Sequence, residues 1–150
     1  MVLAEGAISL TGATGIDADE LVQRIERAAS APSTKALVLR ISSPGGDALA
    51  AEAIREKLAA VRTKGLPVIV SMGNAAASGG YWISLAADRI VADPLTLTGS
   101  IGVFSIVPDA AAALEKLELG IGGFRTSDFA DFGSPLHKPN VAEAALLRAG

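Results

Sequence analysis

One serine, Ser78, has the sequence surroundings that a nucleophile needs. It lies in the run NAAASGGYW at 74–82, after an apolar segment at 66–72 that is typical of a buried strand. The small residues that follow favour a helix. A serine at such a strand-to-helix junction can present its hydroxyl beside backbone N–H groups, as in a nucleophile elbow. The pattern therefore predicts that Ser78 attacks a carbonyl carbon.

Two glycine-containing turns follow two of the predicted strands. Pro44-Gly45-Gly46 comes after an apolar strand at 35–42, and Ser78-Gly79-Gly80 comes after the strand at 66–72. Because parallel strands end at the same edge of a sheet, both turns are expected to lie at one edge. Two N–H groups from such turns, aimed at one point, form an oxyanion hole. The alternative is that both are ordinary loops that let helices pack close to strands.

The elements needed to position these turns can be predicted from hydrophobic patterns. Segments with strand and helix patterns alternate along the chain, which favours right-handed βαβ units and an α/β fold with a mainly parallel sheet. The 150 residues contain no linker or repeat, so a single domain over 1–150 is expected. Its end inside a predicted helix suggests a fragment of a longer protein. Strands are predicted at 2–10, 35–42, 66–72, 89–92, 103–107 and 120–126, and helices at 17–29, 47–63, 78–87, 108–117 and from 140 onward.

Composition excludes several kinds of function. The net charge is −3 without a basic cluster, so no nucleic-acid partner is expected. There is no cysteine, which excludes disulfides, thiolate metal sites and a cysteine nucleophile. With His137 as the only histidine, no histidine-rich metal site is expected. The uncharged segment at 66–87 approaches the length of a membrane span, but Pro67, Asn74 and its glycines favour a buried strand, a turn and a helix.

Three motifs together resemble one enzyme family. They are SSPGGD at 42–47, AASGGYW at 76–82 and TGSIGVF at 98–104. In this order and spacing they resemble the signal peptide peptidase A (protease IV) family of serine peptidases, from about residue 2 to about residue 135. The resemblance implies a crotonase-like, Clp-protease-like α/β fold, with Ser78 as the nucleophile. It also implies an oxyanion hole made by Gly45 or Gly46 together with Gly79, and no cofactor, metal or nucleotide.

The resemblance further implies a lysine as the general base, and here the sequence departs from the pattern. A lysine can take the serine proton only if burial lowers its pKa toward neutrality. In short members of the family it stands just before an Asp-x-x-Ser-Pro-like segment. The matching stretch is ADFGSP at 130–135, so Ala130 occupies the lysine position. The chain could be the serine-bearing C-terminal half of a long-form member, which we favour, an engineered lysine removal, or a catalytically silent domain.

Few other groups could act as the base. Lys138 is the nearest lysine, but its proline-flanked context is typical of an exposed loop. His137 could pair with Ser78, since Ser–His pairs recur across folds, although no acid is assignable to it. Thr98 and Ser100 could orient the base or line the site, or could serve only as loop hydrogen-bonding groups.

The resemblance implies a peptide substrate, in the form of small hydrophobic peptides such as cleaved signal peptides. Extended peptides bind such sites as added strands, with alternate side chains in pockets. Tyr81, Trp82, Ser100 and Ile101 are the predicted substrate-binding residues, and Met72 and Val103 are further candidates. Each apolar member of this set could instead belong to the core.

Partners and location are also expected by resemblance. Because the chain lacks its own base, a homo-oligomer or a lysine-bearing homologous domain is expected to complete the site. Membrane association, at the inner membrane, is expected only through parts absent from this chain, which itself is expected to be soluble. The competing interpretations are an acyl-CoA crotonase-type enzyme, which uses the same oxyanion geometry, and a silent, oligomer-forming domain.

Overall fold

The computed structural model describes residues 1–11, 14–102, 108–127, 129–136 and 138–149. It contains two compact units, Met1–Val103 and Phe104–Gly150. That both belong to one domain stays a prediction. The predicted strand at 103–107 and the predicted residue His137 lie outside the described residues.

The first unit is an α/β structure built on a parallel sheet. The strands are β1 (Val2–Glu5), β2 (Ile8–Ser9), β3 (Ile16–Asp17), β4 (Leu37–Ser43), β5 (Val68–Ala77), β6 (Arg89–Val91) and β7 (Leu97–Gly99), and the helices are α1 (Ala18–Ser30), α2 (Ala48–Thr63) and α3 (Gly79–Ser84). The strand order is β1-β4-β5-β6, with β7 pairing the far end of β5 beyond β6, and all of these pairs are parallel. β2 and β3 form a separate two-stranded pair.

Each of the two long helices begins after an aspartate that caps its first turn. Asp17 accepts a hydrogen bond from Glu20 N–H at 2.9 Å, and Asp47 accepts one from Ala50 N–H at 2.8 Å. Each bond satisfies an amide that the first helical turn leaves without a partner. Because α2 begins directly after the Gly45–Gly46 turn, its cap also limits where that turn can lie.

The core lies between one face of the sheet and the two long helices. β4 alternates between fully buried and half-buried residues, so its buried face is well defined. Such alternation keeps the strand from slipping by one residue, because a slip would turn the apolar set toward the other face. The fully buried side chains include Ile25, Leu39, Ile41, Ile54, Leu58, Val68 and Val70.

The sheet differs from the prediction in two places that matter for the site. β5 continues to Ala77, beyond residue 72 where the strand was predicted to end, and reaches Ser78 directly. Residues Leu97–Gly99 form β7 within a segment predicted as a loop. This strand has exposed or half-buried side chains and is defined by its backbone pairing with β5, which an apolar pattern does not reveal.

The second unit contains two short helices, α4 (Ala111–Lys116) and α5 (Val141–Ala149). Asn140 and Glu143 form a reciprocal capping box at the start of α5, through bonds of 2.7 and 2.9 Å. The strand predicted at 120–126 is wrong: these residues form no regular element and are exposed. Three glycines weaken strand formation in this stretch. Within the described part of the chain, no helix combines the length and apolarity needed to cross a bilayer.

Candidate active site

Ser78 forms the junction between β5 and α3. Its backbone has φ 50° and ψ −118°, in the region that non-glycine residues rarely adopt. Two hydrogen bonds hold it there: Ser78 N–H donates to Gly99 O on β7 at 2.8 Å, and Trp82 N–H donates to Ser78 O at 2.9 Å. The chain therefore passes from strand to helix through a single strained residue, which is half-buried at the carboxyl edge of the sheet.

The first glycine turn packs directly against this serine. A Cβ atom on Gly45 would lie 2.7 Å from Ser78 Cβ, closer than carbon atoms can pack, and 3.0 Å from Gly79 N. The backbone of Gly45 also has φ 105°, which a side chain would strain. Glycine is required at this position because the turn and the serine occupy adjoining space.

Gly46 is oriented by a bridge to β2. Ile8 N–H donates to Gly45 O and Asp47 N–H donates to Ile8 O, both at 2.9 Å. In a parallel bridge these bonds belong to the residues on either side of Gly46, so its own N–H and C=O point away from Ile8. A Cβ atom on Gly79 would lie 3.5 Å from Gly46 N, which places the two glycines side by side.

The three glycines predicted to form the oxyanion hole differ in whether their backbone N–H already has an acceptor. Gly45 N–H already donates to the buried Ser43 Oγ at 3.1 Å. Among the hydrogen bonds of the described residues, neither Gly46 N–H nor Gly79 N–H has an acceptor. Gly46 and Gly79 thus have amide donors available beside Ser78, whereas Gly45 contributes through its lack of a side chain.

The lysines of the first unit lie away from Ser78. Lys35 precedes β4 and Lys64 ends α2, so both lie toward the amino ends of the strands, whereas Ser78 follows a carboxyl end. Lys57, in the second half of α2, donates to the carboxylate of Glu26. Within the described residues of this unit, therefore, no lysine stands at the edge that carries the serine.

The position expected for the lysine and the two other candidates for the base belong to the second unit. Ala130, at the position of the expected lysine, is exposed in a turn and donates from its N–H to Ser127 O at 3.3 Å. Lys138 is exposed as well. A pairing of Ser78 with His137 falls outside the described residues.

The predicted substrate-binding residues differ in exposure. Trp82 is 41% exposed and Ile101 is 62% exposed, and both are accessible to a ligand. Ser100 is exposed and has φ 51°. Tyr81 is half-buried and packs against the core.

Two further candidates have structural contacts. Met72 is only 3% exposed and belongs to the core, so it is a packing residue of β5. Thr98 Oγ1 donates to Ala76 O at 2.8 Å, so its hydroxyl ties β7 to β5. Val103 lies outside the described residues.

Sequence reasoning missed one polar cluster near the serine. Trp82 Nε1 donates to Glu52 Oε2 at 2.6 Å, and Arg55 donates to both oxygens of the same carboxylate at 2.7 Å. The Arg55 guanidinium, followed by the Trp82 indole, lowers the pKa of Glu52 to about 2. The spacing of Glu52 and Arg55 on one helix was visible in the sequence, but their contact with Trp82 was not.

Comparison with known proteins identifies the family. The sequence model described as Peptidase family S49 matches residues 60–148, which is more than half of the chain and includes Ser78. A relative named Protease 4 from Salmonella typhi is 46% identical over 133 residues. The chain belongs to peptidase family S49. The family expected from the three motifs is thereby confirmed.

The S49 relatives are considerably longer than this chain. The match to Protease 4 of Salmonella typhi covers 87% of this chain and 22% of that protein. A relative from Arabidopsis thaliana, named Serine protease SPPA, chloroplastic, is 39% identical and the match covers 95% of this chain and 21% of that protein. A relative named Putative signal peptide peptidase SppA, from Enterococcus faecium, is 34% identical, with 77% and 34% covered. The chain therefore spans between a fifth and about a third of the length of these relatives.

One solved structure with a TM-score above 0.5 shows the fold. A serine-to-alanine mutant of the 1510-N membrane-bound stomatin-specific protease matches with a TM-score of 0.53 at 20% identity, covering 72% of this chain and 48% of that one. ClpP1 from Listeria monocytogenes matches with a TM-score of 0.49 at 26% identity, covering 57% and 45%. The α/β fold with a mainly parallel sheet expected of this S49 chain is confirmed.

We expect Gly45→Ala to destabilise the S49 chain much more than Gly65→Ala. Both glycines have positive φ, of 105° and 88°, so each substitution costs on the order of 1–2 kcal/mol in backbone strain. At Gly65 the added Cβ atom meets open space, whereas at Gly45 it meets Ser78. Overpacking there adds about 1–3 kcal/mol. Urea unfolding measures the loss of unfolding free energy in each variant. Equal losses for Gly45→Ala and Gly65→Ala would show that the Gly45 turn does not contact Ser78.

The contribution of Glu52 to stability is expected to fade in acid. Its carboxyl has an ordinary pKa of 4.5 and a folded-state pKa of about 2, so its contacts stabilise the fold fully above about pH 5. That stabilisation is lost as the pH falls through 4.5 toward 2. The difference in unfolding free energy between the unsubstituted chain and Glu52→Gln should therefore shrink over this range.

The control for this measurement is Glu56→Gln. It removes the same charge from the same helix without removing the bonds to Arg55 and Trp82, and subtracting its effect isolates the Glu52 contacts. If the difference in unfolding free energy between the unsubstituted chain and Glu52→Gln stays constant from pH 6 down to about pH 2, the lowered pKa of Glu52 is contradicted.

Proposed function

We propose that this chain is the nucleophile-bearing part of a serine peptidase, with Ser78 as the nucleophile. The observation that supports this most directly is the strained backbone of Ser78, with φ 50°, beside the available amides of Gly46 and Gly79. Strain of this kind persists only where surrounding contacts hold it, and it is concentrated at functional sites. The membership of peptidase family S49 supports the same reaction class.

In the proposed reaction, Ser78 Oγ attacks the carbonyl carbon of a peptide bond. Negative charge then develops on the carbonyl oxygen, and the N–H groups of Gly46 and Gly79 stabilise it. Each such donor typically lowers the transition-state free energy by about 3 kcal/mol. When this intermediate collapses, the C–N bond breaks and the amine fragment leaves with the proton that the base took from Ser78. Water then hydrolyses the acyl-enzyme, which releases the carboxylate fragment and regenerates the serine hydroxyl. No metal or organic cofactor takes part in this sequence of steps.

The abrupt transition from β5 to α3 supports the assignment of Gly79 as a donor. The amides at the start of a helix have no acceptor within that helix. Because Ser78 is the only residue between strand and helix, the first such amide belongs to the residue directly after the nucleophile. Gly46 reaches the same place from the other turn, since its bridge to Ile8 leaves its own N–H unused.

The general base is proposed to be a lysine supplied from outside this chain. The three lysines of the first unit lie toward the other edge of the sheet or in an ion pair, and Ala130 stands at the position where the short-form pattern has lysine. A homologous domain of the longer protein, or a second copy, would supply the amine. Burial against the apolar surface of the site would lower its pKa enough for it to accept the serine proton.

The proposed substrates are small hydrophobic peptides, such as cleaved signal peptides. One S49 relative bears the name Putative signal peptide peptidase SppA. Exposed apolar side chains at Trp82 and Ile101 offer contacts to such peptides. Among the described residues β7 pairs only with β5, and its other edge is available to an extended peptide strand. Membrane association of the complete protein is proposed to reside in parts outside this chain.

An acyl-CoA crotonase would use the same pair of amides on a thioester, usually with acidic residues at the reacting centre. The glutamate nearest to the two turns, Glu52, has both oxygens occupied by Arg55 and one of them by Trp82. A carboxylate with a pKa of about 2 is also a weak general base near neutral pH. The peptidase is therefore the function that we propose.

Ser78→Ala in the complete protein is expected to abolish both peptide hydrolysis and labelling by an alkyl fluorophosphonate. The substitution removes the attacking oxygen and leaves the backbone available to keep its bonds to Gly99 and Trp82. Mass spectrometry of the labelled protein should find the phosphonyl group on Ser78. Ser30→Ala, at the exposed end of α1, is the control and should label at the unsubstituted rate. Acyl-CoA binding without labelling would instead support the crotonase.

The chain by itself is expected to be inactive as a peptidase, with weak activity gained by Ala130→Lys. The alanine offers no proton acceptor, whereas a lysine there would occupy the position of the short-form base. Release of a fluorophore from an apolar peptide measures this gain. Robust activity of the unsubstituted chain that survives Lys138→Ala would contradict the missing-base proposal, unless His137→Ala abolished it. Inactivity even with a lysine-bearing partner domain would favour a silent domain.

A further inference from the structure

One hydrogen-bonded cluster connects the helix behind each of the two glycine turns. α2 begins at Ala48, just after Gly46, and α3 begins at Gly79, just after the serine. Glu52 on α2 accepts the bond from the indole Nε1–H of Trp82 on α3 at 2.6 Å. The cluster thus joins the two elements that carry the proposed oxyanion donors, within about two helical turns of each donor.

Arg55 holds the carboxylate in position for this bond. Its Nε donates to Glu52 Oε2 and its Nη2 donates to Oε1, each at 2.7 Å. A bidentate guanidinium–carboxylate pair fixes the plane of the carboxylate as well as its position. Arg55 therefore holds Oε2 as a charged acceptor that faces the indole, through bonds that do not depend on Trp82.

Trp82 in turn acts on the backbone of the nucleophile. Its main-chain N–H donates to Ser78 O at 2.9 Å, so the indole tie and the backbone bond belong to one residue. α3 has only six residues, which is too short to be a stable helix by itself. The strained conformation of Ser78 costs on the order of 1–3 kcal/mol, and contacts outside α3 must supply the support.

The beginnings of the two helices are already in close contact. A Cβ atom on Gly79 would lie 3.2 Å from Ala51 Cβ and 3.5 Å from Gly46 N. A small rotation of α3 about this contact would change the direction of Gly79 N–H relative to Gly46 N–H. The bond from Trp82 to Glu52 resists that rotation, since it ties α3 to α2 one turn further along.

We infer that the Glu52–Trp82 hydrogen bond, oriented by Arg55, sets the relative position of the Gly46 and Gly79 amides, so that both residues position the oxyanion hole. The inference rests on the proposed peptidase function. It is independent of a contact between the Trp82 ring and substrate, because it uses only the indole N–H, which donates to Glu52. Neither side chain is required to touch the substrate.

The test measures how fast a small alkyl fluorophosphonate labels Ser78 in the complete protein. This probe needs the nucleophile and the oxyanion donors but no peptide subsite. Trp82→Phe keeps an aromatic ring and removes the indole N–H, and we expect labelling to slow by about tenfold. Glu52→Gln keeps an acceptor oxygen and loses the charge, and we expect a loss of about threefold.

A double variant and a control sharpen this measurement. If both residues act through one bond, Glu52→Gln combined with Trp82→Phe should be no slower than Trp82→Phe by itself. Glu56→Gln, exposed on the same helix, should label at the unsubstituted rate. Peptide kinetics should show a lowered kcat with KM unchanged within about twofold, as expected for an interaction felt in the transition state.

Two results would overturn the inference. Labelling of Trp82→Phe at the unsubstituted rate with a raised KM for peptides would make Trp82 a substrate contact only, with no part in positioning the amides. Unsubstituted rates in both single variants, accompanied only by lower melting temperatures, would make the cluster a structural tie. If Trp82→Phe fails to fold, Glu52→Gln decides between these outcomes. Absence of labelling at Ser78 in the unsubstituted protein would instead refute the proposed function itself.

Discussion

The strained backbone of Ser78 is the constraint on which the rest of the site depends. A residue with φ 50° between a strand and a helix needs support from several directions, and three neighbours supply it. β7 accepts its N–H through Gly99 O, α3 returns a bond from Trp82 N–H, and Gly45 leaves room for its Cβ atom. Because a side chain at Gly45 would displace Ser78, the position of this serine depends on the first glycine turn.

The register of the parallel sheet brings the two turns to the same level. Ser43 at the end of β4 pairs with Ala76 near the end of β5, after a shift between Ile41 and Ser43 that lets β5 accommodate extra residues. Gly73 lies in this irregular stretch, where a Cβ atom would lie 2.9 Å from Ser42 Cβ. The bulge therefore depends on close backbone approach. Without it, β5 would end at a different level from β4, and Ser78 would not meet the Gly45–Gly46 turn.

The parts of the site that depend on local sequence could be predicted, whereas those that depend on pairing could not. The strand-to-helix junction at Ser78 and the aspartate caps of both long helices follow from residue types within a few positions. The strand predicted at 120–126 was wrong because an apolar pattern does not supply a pairing partner. β7 was missed for the converse reason, since its backbone pairs with β5 while its side chains remain largely exposed.

The sequence by itself determined the fold class, the family, the nucleophile candidate and the two glycine turns, because periodicity and short motifs are local properties of the chain. Tertiary structure decided which amides remain available. Gly45 N–H is taken by Ser43, while Gly46 N–H is turned away from β2 by the bridge to Ile8. It also decided that Glu52 meets Trp82, 30 positions away. Hydrogen-bond direction and contact between distant residues depend on how elements pack in space, and one sequence does not encode that in any short pattern.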